Sequence, residues 1–254
     1  MAQTFKLTVE YDGSKFSGWQ TQQNARTVQA EIQRVADELF GVETDVQGAG
    51  RTDAGVHALG QVAHLKVRNP RRKLPAAQLM RELNDKLPSS IAIVQCEEAA
   101  ANFHARHDAV SRAYFYQISK RKTALAKRYV WWIKEPLDVA AMQQAAALIA
   151  GRHNFVCFRA ADPSKPGEST TVVVDSAEIG VDEHLIVFRI EASHFLWKMV
   201  RRLTGALVKV GLGEITVDQF RELLSGRKNH DLDIAAWTAP GSGLFLESVR
   251  YEKP

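Results

Sequence analysis

Phe5, Leu7 and Val9 alternate with Lys6 and Thr8, a period of two that predicts a strand over 4–11. "YDGSKFSGWQ" then reads as a glycine-containing loop. After Thr27, which suits an N-cap, the spacing changes to helical. Val28, Ile32, Val35, Ala36 and Leu39 fall on one face, and Gly41 stops the helix. Strands are predicted near 42–48 and 61–68. Pro75 suits the first turn of a helix running through Leu79, Leu83 and Leu87, with Pro88 ending it. "IAIVQCEE" (91–98) reads as a strand.

A second series opens with a strand at "SRAYFYQIS" (111–119). Asp138 caps a helix to Ile149, ended by Gly151. "ADPSKPGEST" (161–170) is a loop by composition. "TVVVDSAEI" (171–179) and "HLIVFRIEA" (184–192) read as paired strands. A long helix is predicted from Ser193 to Val210, ended by Gly211. A shorter one starts at Thr216, with Gln219 completing a capping box and Ile215 and Phe220 forming a hydrophobic staple. "LFLESVRY" (244–251) closes as a strand. Each series reads β-α-β-β-α-β, the ferredoxin-like order, with one extra helix late in the second. The expected fold is therefore α+β: two ferredoxin-like halves, 1–105 and 106–254, with mainly antiparallel sheets side by side and a cleft between them. No residue-level repeat accompanies this duplicated order.

Length and composition bound the function. At 254 residues the chain can bury a core of ordinary size. No run of about 18 apolar residues suggests a membrane span. "MAQTFKLTVEYDG" lacks the basic start and apolar block of a signal peptide. Cys96 and Cys157 are too few for a disulfide framework, so a reducing cytoplasm is expected. The net charge is only +4, but the cations cluster: four in "RNPRRK" (68–73), five in "KRKTALAKR" (120–128) and three in "KMVRR" (198–202). Three such runs point to a polyanionic partner. Arg71, Arg72, Lys73, Lys120, Arg121 and Lys122 are the candidate contacts, solvated surface being their simplest alternative.

The chemistry concentrates in "GAGRTDAGVHALGQVAH" (48–64), which packs four glycines and two histidines around Arg51 and Asp53. In extended backbone those two side chains project to one side. His57 and His64 are seven apart, a spacing that matches no helical pair and no zinc signature. No G-x-S-x-G is present, neither cysteine sits in a glycine-rich loop, and "GAGRTDAG" lacks the Lys-Ser/Thr of a phosphate-binding loop. A carboxylate beside a guanidinium remains, either a surface ion pair or an ionised nucleophile.

"GRTDAGVHA" resembles the signature loop of the TruA-type tRNA pseudouridine synthases, aspartate included. "YDGSKFSGWQTQ" (11–22) resembles that family's first loop, and "TVQAEI" (27–32) its first helix start. "NFHARHDAVSRAYFYQI" (102–118) resembles the segment with its active-site tyrosine, and "SHFLWKMVRRLTGALVKVG" (193–211) the helix with its second arginine. "SGLFLESVRY" (242–251) resembles its closing strand. The segments keep family order nearly end to end.

The resemblance implies that Asp53 is the nucleophile, Arg51 its loop partner, Tyr114 the active-site tyrosine and Arg201 the arginine facing the aspartate. It implies pseudouridine formation at positions 38–40 of the tRNA anticodon stem-loop by a homodimer without cofactor or metal, the cleft serving as RNA-binding site and active site. Two positions depart from the family pattern. "TTVVV" lacks an arginine that many members carry in that strand, and Lys198 stands where histidine or asparagine is common. A rival reading is a ferredoxin-like RNA-binding module without catalysis, which accounts for the basic runs but leaves the aspartate loop idle.

Overall fold

The computed structural model describes residues 2–161, 167, 169–227 and 231–252. Most of 161–170, expected to be a loop, lies outside them. The chain is α+β, with five α-helices and ten strands among the described residues. It divides into two compact units. Unit 1 is Met1–Val110 with Phe245–Pro254, and unit 2 is Ser111–Leu244.

In unit 1 the strands are β1 (Gln3–Tyr11), β2 (Thr44–Gly48), β3 (His57–Val67) and β4 (Ile91–Glu98). β1 pairs antiparallel with both β3 and β4, and β2 pairs antiparallel with β3, giving the order β4-β1-β3-β2. The closing strand β10 (Leu244–Tyr251) adds a short parallel pairing at the start of β3, Phe245 opposite His57 and Leu246 opposite Ala58. Phe5, Leu7, Val9 and Tyr11 are all buried, as the alternation requires. α1 (Val28–Phe40) is capped by the Thr27 side chain, which accepts from Ala30 N–H, and is ended by Gly41 at φ 65°. Its buried face is Val28, Ile32, Val35, Ala36 and Phe40; Leu39, expected in that stripe, is half-buried. α2 (Ala76–Lys86) buries Leu79 and Leu83, with Pro75 as its N-cap.

β3 begins four residues before the predicted 61. Gly60 hid this start. A side chain there would put its Cβ 2.7 Å from Glu247 O, so the glycine is a place where β10 backbone passes close, not a break in the strand.

In unit 2, β5 (Ala109–Ser119) pairs antiparallel with β9 (Leu185–Ala192), which pairs with β8 (Thr171–Asp182), which pairs with β7 (Gly151–Asn154). A two-residue β6 (Trp131–Trp132) runs parallel to the end of β5. α3 (Val139–Ala147) is capped by Asp138. α5 (Val217–Leu224) carries the full capping box between Thr216 and Gln219, and Ile215 and Phe220 are both buried. α4 spans Met199–Gly211, not 193–210. Lys198 takes φ 60°, a left-handed conformation that starts the helix six residues later than the apolar spacing suggests. The 193–198 segment is irregular, with Leu196 buried and Trp197 exposed.

Among the buried polar residues of unit 1 is His64. Its Nδ1 accepts from Ala105 N–H at 3.1 Å, while Nε2 faces Asp45 Oδ2 at 3.7 Å, beyond hydrogen-bond range. Burial holds the His64 imidazole below its ordinary titration range, with Asp45 opposing. The unfolded chain therefore takes up a proton that the folded chain refuses. Stability from this group is full above the unfolded value near 6.5 and declines as pH falls below it. The melting temperature is expected to drop between neutral pH and about pH 5.5. His64→Asn keeps an acceptor for Ala105 without titrating, and melts across that range should give it a shallower drop. Equal slopes for the two proteins would place the acid-sensitive group elsewhere.

Candidate active site

The aspartate loop joins β2 to β3, and its backbone is bonded on several sides. Ala49 N–H extends the ladder to Val62 O at 2.7 Å. The buried Gln61 carboxamide donates to Gly50 O at 2.9 Å. Trp19 N–H donates to Thr52 O at 3.1 Å, and Val56 N–H closes a turn onto Asp53 O at 3.2 Å. The Tyr11 hydroxyl and Thr52 Oγ1 share a buried hydrogen bond of 2.8 Å. Gly55 takes φ 75°, which its lack of a Cβ permits.

The 12–19 segment is interlocked with this loop. Gly18 sits at φ 93°, and a Cβ on it would lie 2.4 Å from Thr52 O; a Cβ on Gly13 would lie 1.9 Å from Val56 O. Gly13 N–H donates to His57 Nδ1 at 3.1 Å, and Gly55 N–H reaches Phe16 O at 3.4 Å. The start of α1 holds the same segment from behind. Val28 and Gln29 N–H donate to Gly18 O and Trp19 O, and the Gln29 side chain bridges Thr21 N–H and Val46 O. Trp19 is buried against Gly48 and Tyr11.

On this scaffold Arg51 is exposed, with Nε donating to Gln20 Oε1 at 3.1 Å, and Asp53 is half-buried two residues on. The loop thus holds a carboxylate at the surface on a backbone with little freedom. His57 is built into the fold. Its ring stacks on Phe245 at 4.7 Å, and because Gly13 N–H points at Nδ1, the Asp12 carboxylate 3.2 Å from that nitrogen is an ion-pair partner only when the ring is protonated. Among the described residues no group of three His, Cys, Asp or Glu side chains is arranged to hold a metal ion. Burial pushes the Cys96 thiol up to about 12, so it is no nucleophile at neutral pH.

Unit 2 holds the other two predicted residues. Tyr114 lies on β5, almost fully buried, with its ring edge-on to Phe195 at 5.1 Å. Arg201 is in the first turn of α4. Its Nε donates to Ala239 O at 2.7 Å while Ala239 N–H returns a bond to Arg201 O at 3.1 Å. Gly205, one turn on, lets the Trp237 carbonyl lie where a Cβ would stand, 1.7 Å away. Tyr116, on the same strand face as Tyr114, donates to Pro240 O at 2.8 Å. Its phenol is raised by burial, and the Arg201 charge opposes that rise. Arg202 bonds Arg159 O and Thr238 Oγ1.

The basic runs divide. Arg71 and Lys73 are exposed, whereas Arg72 forms a two-pronged ion pair with Glu82 at 2.7 and 3.0 Å. Lys120, Arg121 and Lys122 are exposed, with the Lys122 ammonium 5.7 Å from the centre of the half-exposed Trp132 ring. Sequence reasoning gave no role to Tyr11, Gly18, Trp19, Gln61 or Ala239, which hold the functional candidates, although the first three lie in the 11–22 stretch that carries part of the resemblance. A signal existed for Gln61: it is a polar residue in a strand buried on both faces.

The family model for tRNA pseudouridine synthase matches residues 7–108 and 145–252. The tRNA pseudouridine synthase A of Thermoanaerobacter sp. (strain X514) is 40% identical over 247 residues, covering 96% of this chain and 98% of that protein. The protein of the same name from Rhodospirillum rubrum is 40% identical over 251 residues, 97% of this chain and 87% of that one. The tRNA pseudouridine synthase A 2 of Bacillus anthracis is 34% identical over 97% of this chain and 99% of its own. With most of its length matched by the family model and by relatives of nearly the same extent, this chain belongs to the tRNA pseudouridine synthase family.

Proposed function

We propose that this isomerase converts uridine to pseudouridine at positions 38–40 of the tRNA anticodon stem-loop, with Asp53 as nucleophile. The observation that carries the reading is the Asp53 loop itself. A half-buried carboxylate, with an exposed arginine two residues away, stands on a backbone bonded through the carbonyls of 50, 52 and 53. That arrangement suits a group that must meet a substrate atom in one geometry.

The reaction breaks the N1–C1′ bond, turns the base, forms C5–C1′, releases the C5 proton and protonates N1; atoms balance without an added reactant. The Asp53 carboxylate adds to uracil C6 or to ribose C1′ and leaves at the end. The target base leaves the stack first, at a cost of a few kcal/mol that phosphate contacts offset. Arg51, held at its Nε by Gln20, fills the space that the base vacates. Tyr114 takes the C5 proton, and Arg201 keeps the Asp53 carboxylate ionised. In this reading two ferredoxin-like halves bring Asp53 and Arg51, and Tyr114 and Arg201, to one flipped uridine. The enzyme works as a cytoplasmic homodimer without cofactor.

Asp53→Asn removes the anion and keeps the side chain's size. Incubated with an anticodon stem-loop transcript, it should form no measurable pseudouridine while binding RNA normally. A wild-type rate from this variant would end the nucleophile assignment, and mapping the product uridines tests positions 38–40 in the same assay.

Tyr114→Phe keeps the ring that packs on Phe195. Turnover is expected to fall by about 10²–10⁴-fold, the usual worth of general-base help. Tritium release from C5-labelled uridine at matched saturation reads this. A loss of only two- or three-fold would make Tyr114 a packing residue.

The salt dependence of RNA binding separates the cations of the first run. Each phosphate contact contributes roughly one unit of log–log slope. Lys73→Ala and Arg71→Ala should each flatten the slope by about that amount. Arg72→Ala should leave it nearly unchanged, because Glu82 already neutralises the guanidinium. The opposite order would show that RNA displaces Glu82.

A further inference from the structure

Gln61 is fully buried in β3, opposite Val9 of β1. Its carboxamide N–H donates to Gly50 O at 2.9 Å, while its Oε1 is buried without a hydrogen-bond partner among the described residues. Burying an amide with one end unmet is costly, and a leucine of similar size would avoid that cost. The placement of its one hydrogen bond gives the reason for the residue. The β2–β3 ladder pairs Gly48 with Ala63, and Ala49 N–H still reaches Val62 O. Beyond Ala49 the chain leaves the ladder, and Gly50 O is the last carbonyl before Arg51. The Gln61 side chain meets it, extending the ladder by one rung at the point where the functional loop departs.

We propose that Gln61 is a positioning residue for the isomerisation: its carboxamide sets the 50–53 backbone, and through it the Asp53 carboxylate and the Arg51 guanidinium. The inference rests on Asp53 being the nucleophile. Gly50 O sits three residues before Asp53, and the next fixed carbonyl is Thr52 O, held by Trp19 N–H. Without Gln61 the stretch between the Ala49 rung and Thr52 loses its hydrogen bond at Gly50 O, and the carboxylate drifts relative to its substrate atom.

The test is single-turnover pseudouridine formation by wild type, Asp53→Asn, Gln61→Leu and Gln61→Glu, with RNA affinity measured in parallel. Gln61→Leu is expected to bind RNA within about twofold of wild type and to lose roughly ten- to a hundredfold in rate, the scale of a small misplacement of a reacting group. Gln61→Glu supplies a signature that a merely structural residue would not. Burial favours the neutral acid, and a neutral acid carries an O–H that donates to Gly50 O, whereas the carboxylate repels that carbonyl. Its rate relative to wild type should therefore rise as pH falls. A Gln61→Leu enzyme within threefold of wild type, beside an inactive Asp53→Asn, overturns this inference and leaves the nucleophile in place. An active Asp53→Asn overturns the nucleophile instead. If Gln61→Leu does not fold, the Gln61→Glu ratio decides: a flat ratio across pH overturns the proposal.

Discussion

At Gly18 two stretches of backbone approach more closely than any side chain would allow. A Cβ there would stand 2.4 Å from the Thr52 carbonyl, and one on Gly13 would stand 1.9 Å from Val56 O. The closeness is what permits Trp19 N–H to reach Thr52 O, and Gly13 N–H to reach His57. The burial of Thr52 and of Trp19 follows from it. Thr52 is buried because the 12–19 segment covers it, so its hydroxyl needs a partner, and Tyr11 supplies one. Trp19 is buried because the same segment turns inward over Gly48, whose missing side chain leaves room for the indole. Arg51 and Asp53, on either side of Thr52, are left facing outward.

Unit 2 uses the same device around a different residue. The 237–243 segment lies against α4 at Gly205 and against β5 at Tyr116, where Gly243 leaves space for the phenol ring. Arg201 is held by two bonds to Ala239, one from its side chain and one to its backbone. The guanidinium is thereby fixed at Nε, and its charge is felt by the buried Tyr116 phenol. In both units a charged candidate is oriented by a neighbouring segment that passes close to a glycine.

Elements whose stability is local were legible in the sequence. α1 announced itself by Thr27, an apolar stripe and Gly41; α5 by a capping box complete in four residues. The errors fall where a distant partner decides. The spacing Leu196, Val200, Leu203, Leu207 is helical throughout, yet Lys198 turns left-handed and 193–198 leaves the helix. No pattern in "SHFLWK" signals that turn. β6 and β7, of two and four residues, are strands only through the partners they pair with. Arg72 counted as one more cation in a basic run until Glu82, ten residues on in α2, was seen to hold it. At the site, the charged residues stood out and their supports did not. A glycine and a tryptophan acting through backbone contacts carry no chemical signature of their own, and Gln61 is marked only by being polar in a buried strand.

This division has a physical reason. The half-exposed Asp53 carboxylate is not fixed by burial, and a buried carboxylate would move toward its neutral form. A half-exposed side chain must instead inherit its position from the backbone below. Backbone is fixed by saturating its hydrogen bonds, and a loop leaving a sheet has lost its ladder partners. The carbonyls of 50, 52 and 53 regain donors from three sources: the Gln61 side chain, the Trp19 main chain and the turn at Val56. Only the last is local in sequence. The other two come from the strand that the loop enters and from the 12–19 segment, which makes the rigidity of the aspartate loop a property of the folded unit, while "GRTDAG" supplies the charges and the freedom to turn.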